Sequence, residues 1–334
     1  MILLTGATGF LGAHVCASLL EKGYKIRACR RTSSSLNEFE SILSWRLGSD
    51  WQQKFQGIEW AEADILDYES LLEAMQGIEA VFHVAAIVTF WKKRREELFR
   101  VNVDGTANVV NACLESGIPW LIHTSSVAAI GRDAKKPAVS EDNEWTDGPN
   151  NSQYAISKHL AEMEVWRGRE EGLKASMVNP GVILGEGDWT KGSCRLMKKI
   201  MDGMPYYTDA QNGYVDVLDV ADGLLALYEK QIDGERFILV GENLEAKTFI
   251  STGAEVFGND APTTKVSPWM LGIAWRLNSI SSLFTKKEPL ITKETANTGS
   301  HRYSYSTEKS KEILGIQYHT IRETFERLKG LNKS

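Results

Sequence analysis

Tyr154 and Lys158 stand four positions apart in Tyr-Ala-Ile-Ser-Lys, so on a helix they share a face. A free phenol ionises near pH 10, and a neighbouring ammonium favours the phenolate. Moving a phenol by about 3 units takes about 4 kcal/mol, and a close charge in a partly dry site supplies energy of that order. The pair is therefore read as a general acid/base and its activator. The spacing alone is not selective, because Tyr305 and Lys309 repeat it. Context favours Tyr154, which follows an apolar strand ending in Thr124-Ser125-Ser126, whereas Tyr305 lies far down the chain. Ser126 is expected to donate to the same substrate oxygen as Tyr154, an oxyanion-type contribution. Ser125 is the alternative one position earlier, and strand-end capping is the other role open to both hydroxyls.

A second constellation lies near the start of the chain. The apolar run Met1–Thr5 leads into Thr5-Gly-Ala-Thr-Gly-Phe-Leu-Gly12, and a helical pattern follows. Gly6 permits a tight turn, Gly9 lets backbone approach a pyrophosphate, and Gly12 lets the helix pack on the strand. The helix N-terminus then turns free N–H groups toward the phosphates. Cofactor contacts are expected from Gly6, Thr8, Gly9, Phe10, Leu11 and Gly12. The spacing is GxxGxxG rather than GxGxxG, and a ligand-free glycine turn is the competing reading. Its place at the first strand-to-helix crossover favours the nucleotide. Strand two ends in Cys29-Arg30-Arg31-Thr32-Ser33-Ser34, with no acid before Glu38. An acid there would accept from the ribose 2′-OH of NAD, whereas guanidiniums suit a 2′-phosphate. Arg30 and Arg31 therefore point to NADP, with NAD the alternative cofactor and a solvated basic turn the bland reading. Asp64 and Ile65, just past strand three, are expected at the adenine amino group and ring plane.

The elements that must hold these residues alternate in the first half. Strands are read at 1–5, 24–29, 58–63, 80–86, 120–125 and 174–179. Helical patterns are read at 10–22, 98–116 and 153–171, each closed by glycine. Such alternation predicts βαβ units and a parallel sheet. The expected fold is α/β: a Rossmann doubly wound parallel sheet with a smaller, partly interleaved C-terminal α/β domain. The division is a 1–180 NADP-binding domain and a 181–330 substrate-binding domain, with a strand at 235–241 returning to the sheet. Helical patterns in the second part fall near 220–230, 249–257, 269–284 and 320–329. Ligands of open α/β sheets bind at the strand C-termini.

Composition narrows the function classes. The chain has 334 residues with 38 basic and 44 acidic side chains, a net charge of −6, which argues against a nucleic-acid binder relying on bulk positive charge. No apolar run approaches the ~20 residues of a membrane helix. The N-terminus has neither basic nor apolar leader regions. The 4 cysteines form no CxxC and the 6 histidines no HxxxH, so no disulfide framework and no metal are expected, and a reducing cytoplasm fits.

In order along the chain, TGATGFLG (5–12), ADIL (63–66), VFHVAA (81–86), VNVDGTANV (101–109), TSSVAAIG (124–131), YAISK (154–158), NPGVILG (179–185) and YVDVLDVADG (214–223) resemble the extended branch of the short-chain dehydrogenase/reductase superfamily. This is the NAD-dependent epimerase/dehydratase family, and the likeness is greatest to its dihydroflavonol reductase and 3β-hydroxysteroid dehydrogenase-like group. The resemblance implies that Tyr154 is the acid/base, that Ser126 polarises a carbonyl, and that Lys158 holds the nicotinamide ribose as well as activating the phenol. It places Ala85, Ala86 and Thr124 along the cofactor, Pro180 and Val182 by the nicotinamide, and Asn102 as a helix anchor. Hydride would pass between nicotinamide C4 and the substrate carbon. Two departures weigh against sugar-nucleotide chemistry. Asn212-Gly213 precede Tyr214 where epimerases carry an arginine, and Val127-Ala128 stand where dehydratases carry an acid pair.

The expected activity is an NADP-dependent oxidoreductase interconverting a carbonyl and a secondary alcohol on a mostly apolar small molecule. A sugar-nucleotide epimerase and a non-catalytic cofactor-binding protein are the alternatives. Trp91, Trp145, Trp189, Trp269 and Trp275 are candidates for an apolar cleft, with core packing the competing role. The run Lys92–Arg95 reads as a solvated helix start or a contact for an anionic tail. Met270, Ile273, Ala274, Leu277, Ile280 and Phe284 form a helical stripe, expected to be buried, and membrane contact is not expected. A homodimer through the helices at 98–116 and 153–171 is a further implication of the resemblance.

Overall fold

Ile2–Thr5 (β1) is buried throughout, as befits a parallel strand covered by helices on both faces. Its side chains divide by parity: Ile2 and Leu4 join one apolar cluster and Leu3 the other, the two-residue alternation of a strand. The same division sorts every layer of the computed structural model. It describes residues 1–132, 138–148, 151–285, 288–289, 292–299 and 301–331, without the side chains of 279–281, 283–285 and 298.

The other strands of the main sheet are β2 (Ile26–Arg30), β3 (Glu59–Glu62), β4 (Ala80–His83), β5 (Trp120–Thr124) and β6 (Lys174–Pro180). Beyond them come β7 (Val182–Leu184), β8 (Tyr206–Tyr207), β9 (Gln211–Asp216), β10 (Arg236–Leu239), β11 (Glu242–Glu245) and β12 (Thr264–Lys265). Seven strands form one sheet in the order β10-β6-β5-β4-β1-β2-β3, and all its pairings are parallel. The strand order reverses between β1 and β4, where ligands of doubly wound sheets bind. The turn after β1 lies at that switch point.

One face of the sheet is covered by the helices Phe10–Glu21 and Val217–Glu229, whose Val15, Leu19, Val220 and Leu224 pack with Phe82 and Ile122. The other face is covered by Gly105–Glu115 and Gln153–Glu170, through Val109, Val110 and Val165 against Val81 and Leu121. Smaller sheets join β7, β9 and β11, and β8 with β12. Around them the helices Gly192–Met201, Ala246–Phe257 and Ile321–Leu331 build a separate core, in which Tyr214 stacks on Phe249 and Phe249 meets Phe325.

The Rossmann class holds, and the returning strand is β10, paired with β6 from Arg236↔Met177 to Leu239↔Pro180. The division at 180 needs adjustment. Val217–Glu229 covers the large sheet rather than the smaller core, because its apolar face is completed by the Phe10–Glu21 helix. Among the described residues, five helices had no clear sequence signal: Asn37–Leu47, Trp51–Gln56, Tyr68–Ala74, Gly192–Met201 and Lys293–Thr298. The long helical pattern at 98–116 is interrupted. Arg95–Phe99 and Gly105–Glu115 are α-helical, and Arg100–Asp104 between them is a π turn, a widening often found at functional sites. Within the apolar stripe, Ile280 and Phe284 lie outside the described side chains. Trp269, Ile273 and Leu277 are exposed rather than buried. Among the described residues, no helix is long and apolar enough to cross a membrane, and no group of side chains is arranged to hold a metal.

Candidate active site

Gly6 has φ +70°, a left-handed value that favours glycine. A Cβ there would sit 2.6 Å from Ala85 N, so the turn after β1 rests directly on the end of β4. At Gly12 a Cβ would meet the Gly6 carbonyl at 2.0 Å, which seats the helix on the turn. Gly9 differs. It is exposed, its φ is −89°, and a Cβ would meet only Gly6 O, at 3.5 Å. Nothing in the protein itself requires glycine at that position. An outside group approaching the backbone does require it, and a pyrophosphate is such a group. Gly9 caps the Phe10–Glu21 helix without a side-chain acceptor, leaving first-turn N–H groups to face an anion. The turn therefore fits a dinucleotide.

The residues expected at the cofactor's far end stand at the ends of β2 and β3. Arg30 is exposed and lies over the Trp60 ring at 5.3 Å, and Arg31 is exposed beside it. Neither belongs to an ion pair among the described residues. The nearby carboxylate Glu62 instead accepts from Thr32 at 2.5 Å. Asp64 accepts from Leu66 N–H at 3.0 Å. Ile65 is buried against Gly105, and its carbonyl accepts from Asn108 at 2.9 Å.

A directed chain of hydrogen bonds joins the glycine turn to the helix bearing Tyr154. Ala85 N–H donates to Thr5 Oγ1 (3.4 Å), which bonds His83 Nδ1 (2.8 Å). His83 Nε2 bonds Thr106 Oγ1 (3.0 Å), and Thr106 donates to the Asn102 carbonyl (2.7 Å). Thr106 spends its proton there, so His83 donates through Nε2 and accepts at Nδ1. Burial holds the ring neutral by lowering its pKa to about 3, with the Lys158 ammonium adding to the effect. Asn102 sits in the π turn, accepts from Ile87 N–H (2.9 Å), and donates to Ile87 O (3.0 Å) and Ser157 Oγ (3.1 Å). Ser157 passes its proton to the Tyr154 carbonyl (2.8 Å). Asn102 thus ties the loop after β4, through two bonds to Ile87, to the Tyr154 helix, through one bond to Ser157.

Tyr154 lies in the first turn of Gln153–Glu170, with Ser152 as N-cap accepting from Ala155 N–H. Its ring meets Phe90 edge-on at 5.7 Å. Ser126 follows β5, accepts from Ala128 N–H at 3.2 Å, and lies near enough to the Tyr154 phenol to favour its ionised form. The Ser125 and Thr124 hydroxyls are buried without partners among the described residues. Lys158 is buried, and its ammonium donates to the Thr124 carbonyl at 2.9 Å.

Burial raises the phenol pKa, and the Ser126 hydroxyl opposes the rise. Lys158 is itself brought down to about 8 by burial, against the pull of Glu162. The strand-end carbonyl of Thr124 accepts one of its ammonium hydrogens. Pro180 ends β6 and is buried, while Val182 begins β7 and is half-buried. Ala86 is exposed at the mouth of the site. The second Tyr–Lys pair is elsewhere: Lys309 bonds Glu235 and Arg236 O.

The tryptophans divide. Trp91 lines a small cavity with Phe90, Leu98 and Gln153 at the start of the Tyr154 helix. Trp145 stacks on His159 at 4.2 Å. Trp189 packs in the smaller core, Trp275 stacks with Arg276, and Trp269 is exposed. In the basic run, Arg94 is paired with Glu97 and Glu288.

Glu162 and Asn179 had no part in the sequence reading. Glu162 was legible as the next step of the Tyr154–Lys158 stripe, at i+8. Asn179 carried no local signal, since only the β5–β6 pairing brings it to Ser126.

The sequence model of the NAD dependent epimerase/dehydratase family matches residues 2–241. The chain belongs to this family. It is an NAD(P)-dependent enzyme of the oxidoreductase and epimerase kind. Among curated relatives, a candidate dihydroflavonol 4-reductase of Synechocystis sp. is 29% identical over 327 residues, covering 96% of this chain and 91% of the relative. Cinnamoyl-CoA reductase 1 of Petunia hybrida is 27% identical over 282 residues, 80% of each chain. Among solved structures, that of gox2253 superposes with a TM-score of 0.81 at 28% identity, covering 100% of this chain and 98% of the other. The likeness to gox2253 extends over the whole architecture, including the lobe beyond residue 241.

Proposed function

We propose that the protein is an NADP-dependent oxidoreductase that interconverts a carbonyl and a secondary alcohol on a mostly apolar small molecule. The observation that carries this reading is the meeting of the Ser126 and Tyr154 hydroxyls, one just past β5 and one in the first turn of the Gln153–Glu170 helix, with Lys158 fixed on the end of β5. Two hydroxyls from different elements converge there, as a pair of donors to one substrate oxygen must. NADP, when bound, supplies or accepts the hydride. In reduction, Ser126 and Tyr154 polarise the carbonyl, and Tyr154 hands its proton to the oxygen as charge develops. A phenol held above its ordinary pKa is fully protonated at neutral pH, which suits this direction. Lys158 holds the ribose end of the cofactor and, released from the Thr124 carbonyl, assists the phenol. The edge-on Phe90 ring gives the substrate side an apolar wall. The names of the reductase relatives agree with carbonyl reduction. The exposed Arg30 and Arg31, without carboxylate partners among the described residues, favour a 2′-phosphate.

Turnover tests the reading. Tyr154→Phe is expected to cut NADPH-dependent carbonyl reduction by at least about 100-fold, the scale of a general acid, while keeping the thermal stabilisation given by NADPH. Unchanged turnover rejects the assignment. NADPH is expected to stabilise more than NADH, and the reverse order overturns the reading of Arg30 and Arg31. Conversion of a sugar nucleotide with no net coenzyme consumption would move the protein to epimerisation.

A further inference from the structure

Behind the site lies a carboxylate that the chemistry above does not use. Glu162 is fully buried, one turn beyond Lys158 on the stripe Tyr154–Lys158–Glu162. A buried carboxylate is costly unless both oxygens are satisfied, and here both are. Oε1 accepts from the Asn179 amide at 2.5 Å, and Oε2 from Arg236 at 3.1 Å. The same Asn179 amide donates to the Ser126 carbonyl at 3.0 Å. Two acceptors on one NH2 group fix which way the amide points. Its own oxygen is left buried without a partner, a cost accepted to keep that orientation. Arg236 is held in turn by the carbonyls of Glu141 and Asn143, so the carboxylate is clamped from behind.

We propose that Glu162 is a positioning residue for the Ser126–Tyr154 pair: through the Asn179 amide it locks the Ser126 backbone, and so sets where the serine hydroxyl stands beside the phenol. The line runs from β10 through the Tyr154 helix and β6 to the residue after β5. Glu162 also faces Lys158 along the helix and opposes the loss of its proton. The other titratable or charged groups around this centre are Tyr154 and His159 on the same helix, His83 on β4 and His123 on β5, with the pKa of all three histidines lowered by burial, and Arg236 on β10. Glu141 directs its carboxylate to Ile238 N–H. The inference rests on the preceding section only in taking Tyr154 as the proton-transfer group.

Three variants separate positioning from packing. Glu162→Gln removes the charge. Asn179→Leu cuts the link to Ser126 but leaves the Glu162–Arg236 pair. Arg236→Gln removes the guanidinium but leaves the Asn179 bond. The readout is the ionisation of Tyr154 in the NADP-loaded protein, followed by NMR of 13Cζ-labelled tyrosine and assigned by the signal missing in Tyr154→Phe. No substrate is needed, so this result stands apart from any failure to find carbonyl turnover. Withdrawing the Ser126 hydroxyl from the phenol should move the midpoint upward by about 1–2 pH units, the size of one hydrogen bond to an ionised oxygen. That shift is expected in Glu162→Gln and Asn179→Leu and not in Arg236→Gln. If Glu162→Gln does not fold, Asn179→Leu decides. An unmoved midpoint in an Asn179→Leu protein that NADPH still stabilises overturns the proposal. So does an equal shift in Arg236→Gln, which would mark the network as packing alone.

Discussion

Single residues here carry separable duties. Gly9 and Gly12 belong to one motif, yet only Gly12 is crowded by the protein's own backbone. Gly9→Ala is therefore expected to keep its melting temperature and lose coenzyme affinity. Gly12→Ala should lower the melting temperature itself, because its Cβ would overlap the Gly6 carbonyl. Thermal melts with and without NADPH separate the two, and equal melting losses would show that Gly9 also serves the fold. His123 is a second case. It is buried between β4 and β5 beside His83, neither ring nitrogen has a partner, and burial drives its pKa well below 6.5. The folded state thus refuses a proton that the unfolded chain takes up below about pH 6.5, so stability falls as pH drops through that value, by about 1.4 kcal/mol per unit. His123→Phe loses no hydrogen bond and removes this cost. Its melting temperature should fall less between pH 7 and pH 5 than the parent's, and parallel curves would exclude the argument.

At the scale of elements, the π turn at Arg100–Asp104 does what a regular helix would not. It directs Asn102 at the loop after β4, which lines the expected cofactor path at Ala85 and Ala86. Asn102→Leu leaves both the N–H and the carbonyl of Ile87 without their partner, and the cost should be about 2–4 kcal/mol for two part-buried groups. Urea unfolding would measure it, and a loss under about 0.5 kcal/mol would show that the loop holds itself. Sequence periodicity showed a helix here but not its interruption, because one extra residue in a turn barely alters the apolar spacing. The short helices Asn37–Leu47 and Trp51–Gln56 escaped for a related reason. Their core contacts come from few residues, such as Phe39, Ile42 and Leu43, and the second buries none completely.

For the molecule as a whole, the interleaving of the two parts matters most. β10 and the Val217–Glu229 helix return to the large sheet after the smaller lobe has begun. The Arg236 clamp behind the site therefore comes from the distant half of the chain. On the opposite side, the outer face of Gln153–Glu170 leaves Leu160 and Met163 exposed. Light scattering is expected to show a dimer through this face, with Leu160→Arg and Met163→Glu together giving a monomer. An unchanged mass in that double variant would place any self-association elsewhere.

What the sequence determined alone was whatever is written locally. A strand–turn–helix with three glycines, a Tyr–Lys pair at one helical turn, and alternating apolar runs each depend on neighbours within a few residues. From these came the parallel sheet, the cofactor class and the choice of Tyr154 over Tyr305. What only the tertiary structure decided was which polar groups meet across strands. The Lys158 ammonium went to the Thr124 carbonyl, the Asn179 amide reached the Ser126 carbonyl, and Glu162 found Asn179 and Arg236. Such pairings follow from strand register and burial. A buried polar group must find a partner wherever the fold brings one, and spacing along the chain carries no record of that.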